Sequence, residues 1–142
     1  MRIKVILHYL GLLIAILGVS MLLPLAWSLY YGESDSLAFV ISIGLSVIPG
    51  LLLWRLTPIG EGRLSRREAI MLVAGVWILA SAFGALPYVL AGTFSSYLDA
   101  YFEAMSGFTT TGATMLTSVE SQYHGILLWR SLTQWIGGMG II

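Results

Sequence analysis

Between Val5 and Tyr31 the chain runs for about 27 residues without a single Asp, Glu, Lys or Arg. A helix of that length crosses a hydrocarbon core of ~30 Å with some tilt. Hydrocarbon offers backbone N–H and C=O groups no partner, so helices and closed barrels are the structures that cross it. A cleaved signal peptide would have an apolar region of about 7 to 15 residues followed by a small-residue cleavage site; this run is longer and has no clear site. Further apolar runs cover Leu37 to Leu56 and about Ala69 to Leu90, and a fourth begins near Tyr123 and continues to Ile142. That last run stops with neither a capping residue nor a basic flank, which reads as a truncated end. Four such helices make an all-α integral membrane protein, in keeping with 58% hydrophobic against 10% charged residues.

Pro24 should kink the first span, because its ring removes an N–H and crowds the preceding turn. Trp27, Tyr30 and Tyr31 fit an aromatic belt at the membrane surface. His8 reads as a packed or interfacial residue. Ser65-Arg66-Arg67-Glu68 has the Ser-x-x-Glu form of a capping box and marks the start of the third span. Ala80 and Gly84 stand four apart, a small-residue pair suited to close helix packing. Arg2, Lys4, Arg55, Arg63, Arg66 and Arg67 fall at one end of the spans. Glu33, Asp35, Asp99, Glu103 and Glu120 fall at the other end or in the segment between the third and fourth spans. By the positive-inside rule the N-terminus is cytoplasmic. Arg130 alone breaks this division. The formal net charge of zero gives no case for nucleic-acid binding, and the absence of Cys leaves no disulfide framework or thiolate metal site. No Ser/His/Asp, Cys/His or metal-ligand cluster points to an enzyme or a bound cofactor.

One segment departs from the spanning pattern. Ser96-Tyr97-Leu98-Asp99 looks like a second helix cap, and Leu98, Phe102 and Met105 recur at helical spacing. A helix from Tyr97 to Gly107 is only roughly 16 Å long at 1.5 Å per residue, about half a membrane. It is followed by Ser106-Gly107-Phe108-Thr109-Thr110-Thr111-Gly112-Ala113-Thr114. Non-helical backbone at membrane depth is tolerated where protein buries it or where it lines a water-filled cavity. Laid on the TVGYG loop by which potassium channels replace an ion's water shell with carbonyl oxygens, Thr110 and Gly112 match. Gly112 supplies the φ > 0 freedom that lets successive carbonyls aim at one axis, and Thr110 adds a hydroxyl. No carboxylate lies between Ser106 and Thr114, which suits a monovalent cation better than Mg²⁺ or Ca²⁺. The carbonyl end of the half-length helix would favour a cation at the same place. Thr110, Thr111, Gly112 and Ala113 are therefore the candidate filter residues, with K⁺ at Thr110, Thr111 and Gly112. The bland alternative is a Thr/Gly-rich turn in a small non-conducting membrane protein with an assembly or interaction role.

The order of short helix, SGFTTTGAT and LLLWRSLTQWIGGMGII resembles the first quarter of the Trk/Ktr/HKT potassium transporters. The two spans before the capping box resemble the extra N-terminal pair of the TrkH/TrkG branch. The resemblance implies residues 1–64 as that pair and residues 65–142 as the first helix-pore-helix repeat. It further implies potassium uptake across a bacterial inner membrane by four such repeats in one polypeptide, a homodimer mate and a cytosolic nucleotide-binding regulatory ring. K⁺ would be the transported ion rather than a cofactor, and membrane lipid the surrounding partner. The resemblance also sets the half-length helix against the fourth span, where Arg130 needs a partner because a lipid-facing charge costs at least ~2.5 kcal/mol. Glu103 is the natural one, and the pair would brace the filter from behind; the alternative is an Arg130 that snorkels to the outer interface or bonds backbone carbonyls near Gly107.

Overall fold

A computed structural model of the chain describes residues 2–58, 62–116 and 121–140. Among them every regular element is a helix. The first apolar run forms α1 (Ile3–Ser20) and α2 (Leu22–Tyr31), parted at Met21. Pro24, inside α2, has no N–H to offer the Ser20 carbonyl, so the break falls within one turn of it. The second run is α3 (Ser36–Leu56), which carries Pro49 without interruption. The third is α4 (Arg66–Gly84) followed by the short α5 (Leu86–Leu90). That division was not expected, although Pro87, which lacks the N–H for the Phe83 carbonyl, stands in the sequence to cause it. Then come the half-length α6 (Tyr97–Phe108) and α7 (His124–Gly140). Ile3–Tyr31, Ser36–Leu56 and Arg66–Leu90 are each long and apolar enough to cross a membrane. The fourth expected span, α7, is described over 17 residues.

Small residues decide how the first helices meet. An added Cβ at Gly11 would lie 2.7 Å from the Gly50 carbonyl oxygen, and one at Gly50 would lie 2.7 Å from the Ala15 nitrogen. Gly18 meets Val47 and Ser46 in the same way. Gly11-x-x-x-Ala15 is thus the close-packing pair that joins α1 to α3. At the basic end of this pair, His8 Nδ1 donates to the Thr57 and Trp54 carbonyls at 2.8 and 3.1 Å. Trp54 stands in the last turn of α3, whose carbonyls lack intrahelical donors, and Thr57 is the residue that follows the helix. His8 is a packed residue.

The capping box forms as expected. Glu68 N–H donates to Ser65 Oγ at 3.2 Å, and Ser65 N–H donates to Glu68 Oε2 at 2.9 Å. The same buried carboxylate also takes Arg2 through its backbone N–H, Nε and Nη2 at 2.8, 3.1 and 3.1 Å. At the opposite end, the turn from Gly32 to Asp35 rests on the start of α7. His124 N–H donates to Glu33 Oε2 at 2.8 Å, its imidazole Nδ1 contacts Glu33 Oε1, and its ring stacks on Tyr31 at 3.9 Å between centroids. Ser34 Oγ donates to Tyr123 Oη at 2.9 Å. Asp35 is fully buried, receives the Ser28 hydroxyl, and sets Oδ2 2.7 Å from where a Cβ on Gly125 would stand. Burial pushes the Asp35 carboxyl above the usual carboxylate range, opposed by the Ser28 hydroxyl. Two carboxylates from another element thus meet the positive end of α7.

Candidate functional site

Helix α6 begins at Tyr97, as its pattern predicts, and ends one residue later than expected. Ser96 occupies the N-cap position, but its side chain makes no cap hydrogen bond; Asp99 in the first turn supplies the favourable charge. The helix lies between α4 and α7. On the α4 side Gly84 receives Phe108, whose Cε2 would be 2.7 Å from an added Cβ, so the Ala80-x-x-x-Gly84 face packs closely as its spacing suggests. The helix break after Gly84 leaves that residue's carbonyl to the buried Trp129 indole, which donates to it at 2.9 Å. On the α7 side a Cβ at Gly137 would overlap the Phe108 carbonyl oxygen and lie 2.8 Å from its Cα. A Cβ at Gly107 would overlap the Thr133 hydroxyl. Two glycines, one from each motif string, therefore let α7 touch the carbonyl end of α6.

That end is closed by a Schellman motif. Thr111 N–H donates to the Ser106 carbonyl and Thr110 N–H to the Gly107 carbonyl, both at 3.0 Å. The motif needs a left-handed residue between, and Thr110 fills it with φ 54°. Helix α2 ends with the same pair of bonds, Glu33 to Ser28 and Gly32 to Leu29, and has Gly32 at φ 65° in that place. Glycine is the usual occupant, so nothing in the sequence marked Thr110 as a cap. Gly112 follows at φ 79°, the conformation expected of it. Two left-handed residues flank Thr111, and residues 110–115 are all exposed. The carbonyls of Thr110, Thr111 and Gly112 accept no hydrogen bond among the described residues. The Ala113 carbonyl differs, accepting from the buried Ser106 hydroxyl at 2.6 Å. Thr109 and Thr111 join their hydroxyls at 2.8 Å.

Glu103 stands one turn before Ser106 and is 3% exposed. Arg130 Nε donates to its Oε1 at 2.8 Å. Sequence reading anticipated this partner and missed two more. Thr114 Oγ1 donates to the carboxylate at 2.8 Å, and Met115 N–H donates to Oε2 at 2.9 Å. Glu103 thus joins α6, the segment beyond Gly112 and α7 at one buried charge. Glu120, assigned to the same end by the charge pattern, lies outside the described residues.

These features define an all-helical, multi-pass membrane protein in which a half-length helix and a polar, partly left-handed segment are held against long apolar helices. The family model described as TrkH, cation transport protein, matches residues 36–142. A curated relative, an uncharacterized cation transporter of Methanocaldococcus jannaschii, is 42% identical over 96% of this chain and 28% of its own length. The Trk system potassium uptake protein TrkH of Escherichia coli is 35% identical over 100% of this chain and 30% of its own. The crystal structure of the potassium transporter TrkH from Vibrio parahaemolyticus superposes with a TM-score of 0.94 at 32% identity, over 99% of this chain and 30% of that one. The chain belongs to the TrkH family, a family of transporters rather than enzymes. It spans about 30% of the length of these relatives.

Proposed function

We propose that residues 110–113 form one quarter of a potassium selectivity filter, with K⁺ held by the carbonyls of Thr110, Thr111 and Gly112. The observation that carries this reading is the pair of left-handed residues at the end of a half-length helix, which leaves three consecutive exposed carbonyls without hydrogen bonds among the described residues. Carbonyl oxygens in that state are what an ion needs in exchange for its hydration shell. The Trk potassium uptake proteins among the relatives support the choice of ion. Residues 1–64 serve as an N-terminal helix pair, residues 65–142 as the first helix-pore-helix repeat, and three further repeats complete the ring. Glu103 and Arg130 brace the filter from behind. The N-terminus and the Arg-rich loop lie in the cytoplasm of a bacterial cell, the filter is entered from outside the inner membrane, and a second copy and a cytosolic nucleotide-binding ring are the partners.

Gly112→Ser in the full-length polypeptide tests the assignment. A Cβ at Gly112 meets nothing within 4 Å in this chain, so the substitution acts on the backbone at φ 79° and on the space in front of it. K⁺/Na⁺ selectivity in vesicle flux should fall by about tenfold, equivalent to ~1.4 kcal/mol, with unchanged membrane insertion. Undiminished growth at limiting K⁺ together with parental selectivity would remove Gly112 from the filter.

A further inference from the structure

Ser106 is used twice by the segment that follows it. Its backbone carbonyl accepts the Thr111 N–H at 3.0 Å, and its hydroxyl donates to the Ala113 carbonyl at 2.6 Å. Both ends of the stretch 111–113 are therefore tied to one residue of α6, itself 5% exposed. Three residues earlier on the same helix, Glu103 accepts the Thr114 hydroxyl and the Met115 N–H. The Ala113, Thr114 and Met115 bonds all run backwards, onto α6.

We propose that Ser106 is a positioning residue that sets how many carbonyls this segment offers to an ion. By taking the Ala113 oxygen it limits the ion-facing set to Thr110, Thr111 and Gly112, and Gly112, at φ 79°, is the left-handed residue that stands before Ala113. The number and field strength of coordinating carbonyls are among the determinants of K⁺ over Na⁺ preference, so a hydroxyl outside the ion path acts on selectivity through Ala113. The inference rests on the filter reading and can fail without it.

The direct test uses the unmutated full-length protein with a ¹³C=¹⁸O label placed at one carbonyl at a time. On exchange of K⁺ for Na⁺ the Gly112 amide I band should shift, whereas the Ala113 band should stay at its hydrogen-bonded position. An Ala113 band that moves as far as the Gly112 band overturns the role of Ser106 and leaves the filter reading standing. Two silent bands overturn the filter reading itself. Ser106→Ala should then lower K⁺/Na⁺ selectivity about fivefold, the equivalent of one hydrogen bond of ~1 kcal/mol, and make the Ala113 band ion-sensitive. Ser106→Thr, which keeps the hydroxyl, should restore both. Equal selectivity in Ser106→Ala, Ser106→Thr and the parent rejects the proposal.

Discussion

Thr110 is the residue on which local strain concentrates. A β-branched side chain at φ 54° is a genuine outlier, and left-handed backbone costs an L-residue about 1 to 2 kcal/mol. The Schellman bonds on either side impose the conformation, and Gly137, by admitting α7 to the Phe108 carbonyl, fixes the helix end from which they start. Glycine at this position would remove the steric cost while adding back roughly 0.5 to 1 kcal/mol of unfolded-state entropy. Thr110→Gly should therefore raise thermal stability in detergent slightly, by about 0.5 to 1 kcal/mol. A loss of more than about 1 kcal/mol would mean that the Thr110 side chain contributes more than its backbone costs. Thr110→Val keeps the branching, so it should leave stability near the parent and, on the filter reading, affect transport less than Gly112→Ser.

At the scale of elements, the arrangement depends on α6 being gripped from both sides, by Gly84 of α4 and by Arg130, Thr133 and Gly137 of α7. The ion pair is unequal, since the Arg130 side chain is 20% exposed and that of Glu103 only 2%. Arg130→Gln strands a buried carboxylate and should cost about 3 kcal/mol or more, whereas Glu103→Gln leaves a cation nearer the surface and should cost less. The double mutant should lose less than the sum of the two, measured by unfolding in detergent; strict additivity would mean that the residues act separately. Much of this was legible beforehand. Helix starts followed from apolar runs and one Ser-x-x-Glu string, and Glu103 was the natural candidate to partner Arg130, the lone cation at its end. What was not legible depended on long-range approach. Arg2 on Glu68 joins residues 66 apart, and Gly137 announces closeness without naming Phe108 as its neighbour. The Thr110 cap was hidden because local chemistry there contradicts the usual glycine.

For the molecule as a whole, the outward surface of the helices is strongly apolar, with Leu23, Leu37, Ile48 and Ile70 all more than half exposed. Lipid or further helices must cover it. Polar contacts lie inside, around Glu103, and at the ends, at one of which the Gly32–Asp35 turn fastens α2 and α3 to α7. Replacing both acids, Glu33→Gln with Asp35→Asn, should leave α1 to α3 protease-resistant and expose the start of α7 to cleavage in membrane vesicles. An unchanged cleavage pattern would show that α7 keeps its position without them. The turn and His124 lie 91 residues apart, so at about 5 to 20 residues per second the turn leaves the ribosome roughly 5 to 20 s before the helix it caps. The first hairpin is in this respect an internal template. By the time α7 is made, the acceptors for its leading amides are already part of the chain, and the order of synthesis becomes part of how α7 is set in place.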